Sequence, residues 1–539
     1  MHIKQQLSKM IELRMGAIAL AALILAGCGG GGGSSAPPVA ATASADPLFV
    51  DQWNLKNTGQ LGATPVAAKV GEDINVQPAW TTRKGTGVRI AIVDDGLEIG
   101  HEDLASNIAP NGTSYNYVTL SSDPTNDPAD LTSGHGTEVA GIAAARDQNG
   151  LGGTGVAPRA NLVGYNLLQN STTVNEADAM TRGAASVHIS SNSWGAPDGT
   201  GSVAASASTW RAAIDTGLAT GRSGLGTVYT WAAGNGAPVD NSNYDGQANY
   251  RGVIAVGAVN DQGVKSSYSE EGANVWVSAP GGEFCSTHTI TTTDRTGAAG
   301  RNTAVTAGVS DYTAQNYTKC MNGTSAATPT VAGVVALILE AKPNLGWRDV
   351  RNILAQTARI NAPTDLGWYS TGGTPSYGFN PKYGFGVVDA ASAVAVAATW
   401  VNLPAEKIFM SPTVAPNLPI PDNNIVGVAS TITVAGSLIT SIEYIDITFT
   451  AADHTYLGDL TIILTSPSGT SSTLAVTHPC LDANGAVAAT CSTFYNAWRF
   501  GSAGHLGEPA DGGWKLTVSD RNLLDTGTFQ SWGLKFYGH

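Results

Sequence analysis

Three short stretches carry side chains that could do chemistry together: Val93-Asp94-Asp95-Gly96, Gly134-His135-Gly136-Thr137 and Asn322-Gly323-Thr324-Ser325-Ala326-Ala327-Thr328-Pro329. A carboxylate, an imidazole and a hydroxyl are the parts of nucleophilic acyl transfer. A serine hydroxyl is a poor nucleophile until a neighbouring imidazole takes its proton, and the imidazole needs a carboxylate to fix its tautomer and stabilise its cation. Each stretch alone says little, because Asp-Gly is a common turn, His-Gly a common loop and Gly-Thr-Ser a common helix cap. Their force lies in their combination, each at the edge of an α/β element.

Those elements can be read from the hydrophobic pattern. The apolar run from Val88 to Val93 predicts a strand buried on both faces, stopping at Asp94 and Asp95. Polar residues at the C-terminal end of such a strand often face a site. Similar runs at 162–165, 187–190, 228–232 and 252–259 alternate with small-residue helical stretches at 136–145 and 176–186, which predicts a parallel sheet with flanking helices. A long Ala/Val/Leu-rich helix is expected over 324–340, with Pro329 in its first turns. After Trp400 the texture changes. Pro404, Pro412, Pro416 and Pro419 mark a linker over 401–420, and Thr/Ile/Val alternation at 441–450, 459–465, 514–519 and 532–537 predicts an antiparallel β-sandwich over 421–539.

The chain has 539 residues, with 28 Lys+Arg against 42 Asp+Glu and a formal charge of −14. That balance disfavours binding nucleic acid through a basic surface and favours cationic substrates or calcium. Basic Lys4, Lys9 and Arg14 precede a 13-residue apolar run, 15–27. The run is shorter than the ~20 residues a spanning helix needs, so residues 1–27 read as an export signal. Leu25-Ala26-Gly27-Cys28 resembles the bacterial lipobox, which implies a lipidated Cys28. The Gly/Ser-rich segment 28–45 then reads as a flexible tether from a membrane, and Gly29 rather than Asp after the cysteine resembles outer-membrane sorting. The other four cysteines, Cys285, Cys320, Cys480 and Cys491, predict two disulfides with three possible connectivities. Pairing Cys285 with Cys320 and Cys480 with Cys491 is preferred, since each bond then closes within its own domain.

The order Asp, His, Ser and the three motifs resemble the subtilisin-like serine proteases. The resemblance implies Ser325 as nucleophile, His135 as general base and Asp94 as its orienter. It also implies Asn235, in Trp231-Ala232-Ala233-Gly234-Asn235-Gly236, as the side-chain donor to the oxyanion, and Ser193-Trp194-Gly195 as the strand that pairs with substrate backbone. Asp46-Pro47-Leu48-Phe49, Gln52-Trp53-Asn54-Leu55, Asn57-Thr58-Gly59-Gln60 and the doubled Asp94-Asp95 resemble a kexin- or furin-like catalytic domain over 46–400. The tail, with Gly458-Asp459-Leu460, Ser466-Pro467, Gly513-Trp514 and Trp532, resembles the P domain that follows such domains.

A protease cutting after Lys or Arg must meet a desolvated cation with carboxylates. By the resemblance, Asp198 and Asp245 are the S1 acids, Asp95 an S2 acid and Glu176 an S4-side acid, implying a preference for dibasic sites. Thr132 and Ala204 stand where eukaryotic relatives carry further acids, so recognition upstream should be looser. One calcium ion is implied at Asp46, Asp103 and Asn149 with the carbonyls of Arg146, Leu151 and Gly153, and a second at Asp198, Asp240 and Glu283; all are oxygen donors suited to a hard cation. Only 17 residues separate Cys28 from Asp46, too few for the folded propeptide usual in this family, which suggests a separate maturation chaperone. Arg83-Lys84 is a candidate self-cleavage site. Two functions follow: a lipid-anchored, calcium-stabilised endopeptidase for basic sites, or a surface lipoprotein whose sandwich binds a partner beside a vestigial protease domain.

Overall fold

In a computed structural model the chain is described over residues 45–539, apart from 63–65, 112 and 307. The export signal, Cys28 and almost the whole tether lie outside the described residues.

Seven parallel strands form the central sheet: β1 (Arg89–Asp94), β2 (Tyr115–Asn116), β3 (Asn161–Asn166), β4 (Ile189–Asn192), β5 (Val228–Ala232), β6 (Val253–Val259) and β7 (Val275–Pro280), in the order β2-β3-β1-β4-β5-β6-β7. Nearly every strand residue is buried, because helices cover both faces, and this is why the strands read as continuous Val/Ile/Ala runs without alternation. The helices are α1 (Gln77–Trp80), α2 (His135–Ala144), α3 (Thr173–Thr181), α4 (Ser208–Gly224), α5 (Thr324–Ala341), α6 (Trp347–Thr357) and α7 (Ala390–Thr399). Helix α5 is long and apolar enough to cross a membrane by composition, but it is a core helix, buried against α2 and β4 to β7. The winding reverses at β1, which pairs with β3 on one side and β4 on the other. Chain connections diverge there and open a crevice at the strands' C-terminal ends, where Asp94 closes β1.

Two four-stranded antiparallel sheets make the sandwich. One runs Lys407–Met410, Ser531–Gly538, Ile442–Ala451, Tyr495–Ser502; the other runs Val428–Val434, Gly512–Asp520, Leu460–Thr465, Ser471–Ala475. The expected linker over 401–420 is therefore corrected. Lys407–Met410 is an edge strand of the first sheet, and Leu418–Ile420 pairs with Gly527–Phe529. Proline is tolerated at sheet edges, where a missing N–H breaks no ladder, so the prolines mark edge strands and turns. Both expected disulfides, Cys285–Cys320 and Cys480–Cys491, are present.

The two domains share buried contacts. Tyr444, Ala503, Leu506 and Tyr537 of the sandwich join the hydrophobic cluster of the α/β domain. Arg499 donates to the carbonyls of Asn249 and Gly246 and to Asn249 Oδ1, and stacks over Tyr250. Arg348 is paired with Glu443, and Arg251 with Glu406. Arg83-Lys84 is held in place: the amides of Lys84 and Gly85 donate to Glu340 and Lys84 Nζ pairs with Asp147. Because the cores are joined, calorimetry should show a single unfolding transition, and Arg499→Ala should lower it by about 2–4 kcal/mol through lost hydrogen bonds to a charged donor.

Candidate active site

Strand β1 ends at Asp94, whose buried Oδ1 accepts from His135 Nδ1 at 2.8 Å and from the Asp95 amide at 2.8 Å. His135 opens α2, and Asp95 fixes that opening. Its carboxylate accepts from the amides of Gly134 (2.9 Å), His135 (3.2 Å) and Gly136 (2.8 Å), the otherwise unpaired donors of the helix N-terminus. The doubled aspartate thus divides its work, Asp94 holding the imidazole and Asp95 the helix that carries it. Burial raises the Asp95 pKa, as does the charge of Asp94, with His135 and the amides opposing. At His135 burial disfavours the cation, but the charge and hydrogen bond of Asp94 prevail, with Asp95 and Glu138 adding to them, and push the imidazole up to about 9. Glu138, one helical turn on, is buried beside Arg301 at 3.0 Å; burial pushes it up to about 7.

Ser325 sits in the first turn of α5. Pro329, four residues on, has no N–H for the Ser325 carbonyl, and Ser193 Oγ supplies the hydrogen bond instead at 3.0 Å. Ser325 Oγ in turn donates to Ser193 O at 3.3 Å, so its proton must leave that bond to reach His135. Such contacts are commonly loose without substrate. Ser325 and His135 line one cleft of about 570 Å³ with Asn235, Arg301, Phe284 and Met321. Asn235 Oδ1 accepts from Thr324 N (2.8 Å) and Thr324 Oγ1 (2.9 Å), which orients the side-chain amide and leaves its Nδ2 to donate into the cleft.

A second cavity of about 360 Å³ opens on the other side of Ser325, walled by Ser193, Trp194 and Gly195 and holding Asp198, Asp240, Asp245 and Glu270, with no basic residue in its lining. Backbone amides hold these acids. Asp245 accepts from Ala196, Gln247 and Ala248; Asp240 from Gly199, Thr200 and Gly201; Asp198 from Asn235; Glu270 from Gly236. Gly195 is required by close approach, since a Cβ there would lie 2.4 Å from Asp245 Oδ2. Burial raises the pKa of Asp240 and Asp245 against these amides, and raises Glu270 well above the usual range, with the neighbouring acids adding to it. The cavity therefore favours a cation.

Glu283 is not brought to this group. Its carboxylate accepts from Asn260 Nδ2 and from Ser267 N and Oγ, and Glu270 occupies the cavity where Glu283 was expected. Glu176, on α3, accepts from Ser171 Oγ and lines neither cavity. Asp46, Asp103 and Asn149 do come together: Asp46 accepts from the amides of Gln148, Asn149 and Gly150, and Asp103 from Asn149 Nδ2 and Gly153 N. Burial pushes Asp103 up to about 7, against the bond from Asn149 and with the charge of Asp46 behind it. Two adjacent buried carboxylates amid neutral oxygen donors suit a hard divalent cation. Among the described residues no three acidic, imidazole or thiol groups form a ready-made cluster, so carbonyls would complete either site.

Residues 85–386 match the Subtilase family and residues 445–536 the proprotein convertase P-domain. The chain belongs to the subtilase family and carries a P-domain behind its catalytic domain. It is 32% identical over 89% of its length to a PC3-like endoprotease of Hydra vulgaris, of which it spans 64%. It is 36% identical over 90% to a calcium-dependent protease of Trichormus variabilis, of which it spans 70%. A crystal structure of the Aeromonas sobria serine protease with a chaperone superposes with a TM-score of 0.80 at 28% identity, covering 94% of this chain and 98% of that one.

The Asp94–His135 pairing predicts that the imidazole keeps its proton until about pH 9, which NMR of the ring Nδ1–H would follow, and that Asp94→Asn lowers the midpoint toward the ordinary ~6.5. The linked stabilisation is full below the unfolded value and is lost as pH rises through about 9.

Proposed function

We propose that this chain is a calcium-stabilised serine endopeptidase that cuts after Lys or Arg, with a preference for dibasic sites. The observation that carries the reading is the anionic cavity opening beside Ser325, next to the imidazole–carboxylate pair. Substrate lies along Ser193-Trp194-Gly195 and sets its P1 cation between Asp198 and Asp245. In its neutral form, which gains population as pH rises toward about 9, His135 takes the proton of Ser325 Oγ as that oxygen attacks the scissile carbonyl. Asn235 Nδ2 and the Ser325 amide receive the developing oxyanion. His135, its cation stabilised by Asp94, protonates the leaving amine, and water then releases the acyl group by the same steps reversed. Against the vestigial alternative stands the presence of Ser325 and His135 in one cleft with the Asp94–His135 hydrogen bond formed. Asp95, although its carboxylate caps α2, remains the proposed S2 acid and Glu176 the proposed S4-side acid.

Calcium would be held by Asp46, Asp103 and Asn149 with the carbonyls of Arg146, Leu151 and Gly153, and by Asp198, Asp240 and Glu270 near the cavity. There it would neutralise buried acids and stiffen the loops that bear them. The calcium-dependent relative supports this. The solved complex of a similar protease with a chaperone supports maturation by a separate partner. Export and outer-membrane anchoring through Cys28 rest on the sequence.

In a positional-scanning peptide library Lys and Arg should dominate P1, and Asp245→Asn should abolish that dominance; no enrichment of basic residues contradicts the reading. Asn235→Ala should lower kcat about 100- to 1000-fold. EDTA should lower the melting temperature, and an unchanged one would remove calcium from the account.

A further inference from the structure

The cavity beside Ser325 is not built by the α/β domain alone. Tyr244 lines it, and the far side of that ring is covered by His478 of the sandwich, centroid to centroid 4.8 Å. The Tyr244 hydroxyl donates to Val476 O and accepts from Val476 N, each at 3.3 Å. His478 is itself buried, with Nδ1 2.8 Å from Val476 O and Nε2 2.9 Å from Gly201 O. Gly201 is the hinge of the arrangement. Its amide donates to Asp240 while its carbonyl meets His478, so one residue links a cavity carboxylate to the sandwich. Its φ is +66°, and an added Cβ would lie 2.3 Å from Pro479 O, so only glycine fits. Around it Leu481 N donates to Thr200 O (2.9 Å), Val203 N to Thr493 Oγ1 (3.0 Å), and Ser202 Oγ meets Ser492 Oγ (2.7 Å). The Cys480–Cys491 bond closes the sandwich segment that makes these contacts.

We infer that the sandwich is part of the specificity machinery: the segment 476–493, through His478, holds the Gly199–Val203 loop, Asp240 bonded to it and the Tyr244 ring, and so fixes the cavity wall that keeps Asp198 and Asp245 facing a basic P1 side chain. His478 is a positioning residue, touching neither substrate nor reacting atoms. The inference rests on the reading of this cavity as the P1 site. General docking is not its role, because Arg348–Glu443, Arg251–Glu406 and the Arg499 contacts join the domains elsewhere.

The test is steady-state kinetics of the full chain at saturating calcium on two peptides differing only in P1, Arg or Leu, with labelling by a small fluorophosphonate that does not enter the cavity. His478→Ala should raise KM for the Arg peptide about tenfold, the loss of roughly one buried hydrogen bond. The Leu peptide, the labelling rate and kcat should stay within about twofold. Gly201→Ala should reproduce the effect, His478→Gln, which keeps a donor for Gly201 O, should restore much of the KM, and Arg348→Ala should lower the melting temperature without selectivity for Arg. Equal losses on both peptides, or an Arg-selective loss from Arg348→Ala, would overturn the inference. Wild type that itself fails to prefer Arg overturns the cavity reading and this inference with it; wild type that prefers Arg while His478→Ala and Gly201→Ala leave that preference unchanged overturns this inference alone.

Discussion

Four carboxylates, Asp198, Asp240, Asp245 and Glu270, share one cavity beside Ser325, and the rest of the molecule is arranged around keeping them there. Like charges at such proximity repel, and burial makes Asp240, Asp245 and Glu270 more expensive to ionise. The compensation comes from backbone amides, at least one to each acid, drawn from the loops 196–201, 235–236 and 247–248. Amides are fixed partial charges that lose no side-chain entropy, but they work only if the loops are held. Hence the close packing of Gly195 on Asp245 and of Gly201 on the sandwich.

The same economy governs the other half of the site. Asp94 carries out the orienting role only because Asp95 anchors the start of α2, so that the imidazole and its carboxylate are fixed from two ends. Ser325 is set by the proline four residues after it, whose missing donor frees a carbonyl for Ser193. The sheet reversal at β1 brings these groups to one crevice. Nucleophile, base and oxyanion donor then stand on the rims of rigid elements, while the acids that read the substrate stand on loops.

Much of this was legible in the sequence because it is local. The run ending at Asp94 and the helix from Thr324 follow from periodicity, and Asp94, His135, Ser325 and Asn235 carry short motifs that travel with their elements. Glu270 did not announce itself. It lies in Ser269-Glu270-Glu271-Gly272, with no signature to say which glutamate turns inward, and Glu283 looked as acidic from the sequence. Only packing distinguishes them. The prolines of 401–420 suggested a linker because proline breaks helices and central strands alike, and an edge strand gives the same composition as a tether. The contact between His478 and Gly201 joins residues 277 positions apart and had no sequence signal.

The most direct test of the central claim is covalent. A peptidyl phosphonate with arginine at P1 should form one adduct, mapped by mass spectrometry to Ser325, faster than its leucine counterpart and not at all in His135→Ala. An adduct at another residue, or equal rates for the two reagents, would contradict the placement of an activated serine beside an anionic pocket.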